Sequence, residues 1–137
     1  MSVTTNIFNA AKAAMLNAGV NWATATIKCS LFSASTFDAT NAAYNTEGTE
    51  VANANGYTTA GQSVGTCTVD GTTTAAAKIA AATVWTATGA GFTAHAAKLC
   101  VSGGLPIAHI DFGADVTASG GGTWTLTWAA GGVFTVA

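Results

Sequence analysis

His95, His109, Asp111 and Asp115 come nearest, by type and spacing, to a chemical site in this chain. Imidazole and carboxylate donors together suit a transition-metal ion. His109 and Asp111, two apart, share one face of any strand that holds them. Two exposed polar residues on a strand face are the simpler expectation, and no metal is assigned. No Ser-His-Asp order and no nucleophile elbow accompany them. The six acidic residues sit mainly in turn-rich stretches and do not supply the placed carboxylate pair of a glycosidase.

Two further motifs invite catalytic readings. Asp111-Phe112-Gly113 copies the metal-binding triplet of protein kinases, yet no kinase Gly-rich loop, strand Lys or HRD loop accompanies it. The expectation is that Ile110 and Phe112 point inward while Asp111 and Gly113 shape a turn. Gly89-Ala90-Gly91-Phe92-Thr93-Ala94 fits the loose G-x-G-x-x-A dinucleotide pattern, with Asp111 about twenty residues on. That reading needs a helix over Phe92–Val101 and further βαβ units, which the sequence does not offer. No catalytic residue and no cofactor are expected, and the chain reads as a non-enzyme.

Cys29, Cys67 and Cys100 lack CxxC spacing and fall in strand-like segments, so each is expected to be a small buried hydrophobe. Trp124 and Trp128 alternate with threonines. Exposed aromatics on a flat sheet can stack on sugars, but a Trp-Leu-Trp stripe is more often core.

The elements that would position these residues are mostly strands. Thr5–Asn17 reads as a helix capped by Thr4 or Thr5, with Phe8, Ala11, Met15 and Leu16 on one stripe and Gly19 as its left-handed end. Beyond it the period becomes two. Ile27, Cys29 and Leu31 alternate with Lys28 and Ser30 in a half-buried strand over Thr26–Phe32. Residues 33–57 lack a clear period and read as a long loop, with a short helical turn near Thr40–Tyr44; loops of this length are usually functional or contact neighbours. Strands follow over Val64–Val69, an interrupted Ala75–Trp85, Phe92–Val101, Pro106–Phe112, Thr123–Trp128 and Val133–Val136. Asp70-Gly71, Gly89-Ala90-Gly91 and Ser102-Gly103-Gly104 mark turns between them. The fold class is therefore mainly β: an antiparallel β-sandwich or small barrel with one N-terminal helix, in a single domain over residues 1–137.

Composition narrows the class further. Hydrophobic residues make up 50% and charged residues only 7%, against roughly 25% charged in an average soluble domain. Such a surface suits extensive contact with other protein. Four basic residues, dispersed along the chain, give no nucleic-acid footprint and no polybasic membrane signal. Met1–Thr5 has no positive n-region and no apolar run follows, so no signal peptide is expected. The uncharged stretch Val116–Ala137 alternates and contains Gly120-Gly121-Gly122, which argues against a membrane span. Synthesis and folding in a cytosol are the expectation.

Five segments then line up, in order, with a known pattern. Val20-Asn21-Trp22, running on through Thr26-Ile27-Lys28-Cys29-Ser30-Leu31-Phe32, resembles an "INW…TIKVALL" opening. Gly56-Tyr57-Thr58-Thr59-Ala60-Gly61-Gln62 resembles a "GYTAGG" turn. Trp85 with Phe92-Thr93-Ala94-His95-Ala96-Ala97 resembles "W…TARYA". Pro106 to Asp115 resembles "PLIGYIDFGAD", and Thr123 to Trp128, followed by Gly131 or Gly132, resembles "FTIQWDAAGI". The pattern is that of small structural proteins of tailed-bacteriophage virions. The chain departs from it at Cys29, often Val there, and at Ala96–Lys98, where larger apolar residues are usual.

The resemblance implies a virion protein, assembled in the host bacterial cytoplasm, of the capsid decoration or cement type. Its partners would be the major capsid protein and copies of itself, with a trimer suited to local threefold positions; neither nucleic acid nor membrane is implied. The alternative is a tail or fibre component that contacts host glycans. Phe8, Met15, Phe37, Tyr44 and Tyr57, on the helix and the long loop, are the candidate assembly contacts.

Overall fold

The computed structural model describes residues 3–71, 74–102 and 104–136. The chain is mainly β, with antiparallel sheets and one short N-terminal helix. Met1, Ser2, Gly103 of the expected Ser102–Gly104 turn, and Ala137 lie outside the described residues.

The N-terminus departs from the sequence expectation. Thr4–Ile7 forms strand β1, and helix α1 spans only Asn9–Leu16. Thr4, Thr5 and Ile7 are β-branched and favour extended backbone. A sheet edge is available to them, and they pair with it through Thr4↔Asp111 to Ile7↔Ala108. Phe8, not Thr4 or Thr5, takes the N-cap position, without a side-chain cap bond. At the other end Ala18, not Gly19, is left-handed, at φ 53°. Gly19 N–H reaches Ala14 O at 2.7 Å and Ala18 N–H reaches Met15 O at 3.2 Å, the paired bonds of a Schellman end.

The largest sheet is built on β2 (Ile27–Ala34), β8 (Phe92–Val101) and β9 (Pro106–Ala118), with β1 at one edge. Two short strands, β3 (Thr49–Glu50) and β4 (Gln62–Ser63), pair with β2 on its far side. A three-stranded sheet contains β5 (Cys67–Asp70), β6 (Ala75–Ile79) and β11 (Phe134–Val136). A two-stranded sheet pairs β7 (Thr83–Thr86) with β10 (Thr123–Leu126). Trp128 therefore lies beyond the strand expected to hold it.

One face of the large sheet presents Cys29, Leu31, Ala97, Leu99, Ala108 and Ile110. These residues share a continuous buried cluster with Trp22, Ile79, Trp85, Trp124 and Phe134 from the smaller sheets and their connections. Edge-to-face contacts lock it: Trp22 on Phe134 at 5.3 Å and Trp85 on Trp124 at 5.5 Å. Such aromatic pairs contribute about 0.5–1.5 kcal/mol beyond their area. The arrangement is sandwich-like.

The opposite face corrects a second expectation. β2 is not half-buried; Ser30 and Phe32 are as inaccessible as Cys29 and Leu31. The covering layer is the long loop, with Phe8, the residue before α1, packed on its Phe37. Asn9 N–H, at the start of α1, bonds Ala39 O at 2.9 Å, tying helix to loop. The loop holds turns near Ala39–Thr40 and Tyr44–Asn45 and the strand β3, rather than a helical turn.

Candidate functional site

β9 brings three of the four predicted polar residues together, and the device is a wide bulge. Ala94 pairs with Val116 and Ala96 with Asp111, so residues 112–115 lie opposite His95 alone. Gly113, at φ 71°, makes the reversal a side chain would resist. Asp111 Oδ1 accepts the Gly113 N–H at 2.7 Å, the turn-shaping role expected of that pair. His95 then faces two carboxylates: Nδ1 lies 2.8 Å from Asp115 Oδ1 and Nε2 lies 3.6 Å from Asp111 Oδ1. Only the Asp115 contact is within hydrogen-bond reach; Asp111 is a nearby charge and not a hydrogen-bond partner of the ring. These three side chains are partly exposed. Among the described residues no group of three or more His, Cys, Asp or Glu side chains is placed to hold a metal ion.

His109 is not part of this cluster, nor is it exposed. It is 1% accessible, on the covered face of the sheet, directly across from the equally buried Lys98. Lys98 Nζ donates to Thr46 O at 2.6 Å and Glu47 O at 3.0 Å, and rests 4.5 Å over the Phe32 ring. His109 Nε2 is 3.1 Å from Ser35 Oγ. Burial first, and the Lys98 charge second, hold the His109 imidazole below its ordinary range. Burial likewise lowers Lys98. Sequence alone reads both as polar residues on the wet side of a strand, with nothing to say that this face is covered.

The five candidate contacts divide. Phe8 and Tyr57 are buried, Phe8 against Phe37 at 5.0 Å, so neither ring can reach a neighbour without unfolding. Met15, Phe37 and Tyr44 are half-buried. Met15 lines an apolar groove of about 420 Å³ with Trp22, Val69 and Phe134. Leu16, beside it, is 89% exposed; a strictly apolar stripe had assigned it to the interior.

Tyr57 instead organises the loop. Its hydroxyl donates to Glu50 Oε1 at 2.6 Å, and the same oxygen accepts Ala60 N–H at 2.6 Å. The three thiols are buried and free. Burial raises each. Trp124 is interior, its Nε1–H on Val116 O at 3.2 Å, which removes it as a sugar-stacking platform. Trp128 is half-buried and bonds Thr83 Oγ1 at 3.0 Å. Among the described residues no helix is long and apolar enough to cross a membrane.

No family model, curated protein or solved structure matches this chain.

Proposed function

We propose that the chain is a structural protein of a tailed-bacteriophage virion, acting as a capsid decoration protein. In this reading it binds the outside of the assembled capsid and bridges adjacent major-capsid subunits, without catalysing a reaction. The observation that carries the reading is the scarcity of charge: four basic and six acidic residues in 137. A freely diffusing domain normally carries more charge for solubility, whereas a subunit surface inside an assembly need not. The ordered resemblance of five segments to small virion proteins supports the same reading.

Binding only the assembled capsid would stabilise that state by mass action. Many equivalent sites would add avidity without any contact being strong. The exposed Leu16 at the end of α1 is, among the described residues, the most accessible large apolar side chain for such a contact, whereas Phe8 and Tyr57 serve the interior. Deletion of residues 1–6 would be a poor probe, because it removes most of β1 and perturbs the sheet with the surface. Leu16→Ser leaves the framework intact and is expected to lower capsid occupancy.

Labelled-antibody electron microscopy of intact particles tests the reading directly. Label distributed over the head is the expected result, with capsids lacking the chain less resistant to heat. Label confined to the tail or its tip would overturn decoration in favour of a tail or fibre component.

A further inference from the structure

The loop segment Ser35–Glu47 crosses the second face of the large sheet, held by backbone bonds at Ala39 O and Tyr44 N–H and by polar contacts at its two ends. Lys98 Nζ grips its far end through Thr46 O and Glu47 O. Ser35 Oγ, at its near end, donates its single hydrogen to Glu47 O at 3.1 Å, joining the two ends. That leaves Ser35 Oγ only its lone pairs for His109, so His109 Nε2 must carry the hydrogen between them. The proton of the neutral ring is thereby placed on Nε2, and Nδ1 is bare. Nδ1 is buried and has no hydrogen-bond partner among the described residues.

A second proton on this ring can go only to Nδ1. It would create a buried N–H without an acceptor, and a cation directly across the strand pair from the Lys98 ammonium. Both effects oppose the closed arrangement. The other charged groups around the ring do not cancel them. Asp111 favours the cation but is already engaged by the Gly113 amide and faces His95. Glu47 and Asp38 belong to the segment itself and would leave with it, and Asp38 is tied to Thr40. Lys28 on β2 and the exposed Lys12 on α1 are further positive charges.

We propose that Ser35–Glu47 is a proton-released strap: protonation of His109 beside Lys98 opens it and uncovers the Phe32–Ala96 face of the large sheet. This does not depend on where the protein sits in a virion. Opening lets the ring hydrate its second N–H and separates the strap carbonyls from Lys98. The sign follows from the lowered His109 affinity for protons: the open state binds the proton more tightly. The strap is therefore fully held above the ordinary histidine value of 6.5 and is progressively released as pH falls below it.

Amide hydrogen exchange on the whole protein tests this, corrected for intrinsic rates, from about pH 7.5 to about pH 5, which spans the ordinary histidine range. Two amides report the strap: Tyr44 N–H on Gly104 O and Asn9 N–H on Ala39 O. Leu99, in the central strand β8, is the reference. The expected result is loss of Tyr44 and Asn9 protection on acidification, by at most about tenfold per pH unit for one proton, while Leu99 stays protected. His109→Gln, which cannot titrate, should hold the strap amides constant relative to Leu99. Strap protection that survives acid in the wild type, or that falls equally in His109→Gln, would overturn the proposal. Should that variant not fold, the wild-type His109 ring resonance decides. Titration in step with strap opening supports the strap, and titration with the strap still closed overturns it.

Discussion

The hydroxyl of Tyr57 accepts the backbone N–H of Leu31 at 3.0 Å, so a residue of the long loop completes the hydrogen bonding of a central strand. β2 pairs with β8 on one side, but its other side is covered only by the two-residue strands β3 and β4. Between those two, Tyr57 stands in for a missing strand neighbour. Its ring packs 6.1 Å from Phe92, and its hydroxyl passes the connection on to Glu50.

Tyr57→Phe keeps the ring and removes that connection. The Leu31 N–H is then buried without a partner, and Glu50 loses a donor. The expected loss is about 1–3 kcal/mol of unfolding free energy, read from urea denaturation with an unchanged slope. A loss below about 0.5 kcal/mol, within the range of an ordinary surface change, would show that water or a shifted backbone replaces the hydroxyl.

This also marks where the sequence stops being informative. Phe92–Val101 forms a strand over the bounds its alternation predicts, because buried Phe92, Ala94 and Ala96 recur with period two. The strand Thr4–Ile7 is hidden in the sequence because the helical stripe centred on Phe8, Ala11 and Met15 absorbs it, while its pairing partner, Asp111 to Ala108, is remote in sequence. Ser30, Lys98 and His109 look like the wet side of half-buried strands. Only the path of residues 33–57, which carry no period, decides that this side is covered. The meeting of His95 with Asp111 and Asp115 depends on a bulge whose length no local pattern encodes.

Trp124 tests the shared core of the two layers. It contacts Trp85 edge-on and Phe112 at 5.3 Å, from a position that is 4% exposed. Trp124→Ala is expected to destabilise the protein by about 3–5 kcal/mol. Trp128→Ala, at a half-buried position past the end of β10, should cost distinctly less. Equal, small effects from thermal or denaturant unfolding would remove Trp124 from the core.

Gly61 tests the crossing of the loop over β2. Its φ is +66°, and a Cβ there would lie 1.7 Å from Cys29 O. No rotamer relieves a clash with backbone, and left-handed geometry adds to it. Gly61→Ala is expected to lose about 1–3 kcal/mol from backbone conformation alone, with the clash in addition. Gly131→Ala, with open space around the added carbon, is the matched control. Similar denaturation midpoints for the two variants would mean that the Gly61 turn is not packed on β2 as described.

The buried thiols make alkaline stability the most direct check on the interior. Burial raises Cys29 above its ordinary 9.0, and Cys100 and Tyr57 move in the same direction. The unfolded chain therefore releases these protons first as pH rises. Their contribution is fully present below about pH 9 and is lost as pH climbs above it. Cys29→Ala removes one such group while keeping a small apolar side chain. Its unfolding free energy should fall less steeply between about pH 8.5 and pH 10.5 than that of the wild type, by up to about 1.4 kcal/mol per pH unit for one proton. In parallel, a thiol reagent at neutral pH should label all three cysteines only as fast as the protein opens, because the thiolate is the reacting form and each sulfur is buried. Rapid labelling of native protein, or identical alkaline slopes for wild type and Cys29→Ala, would contradict a sealed Cys29 between the two layers.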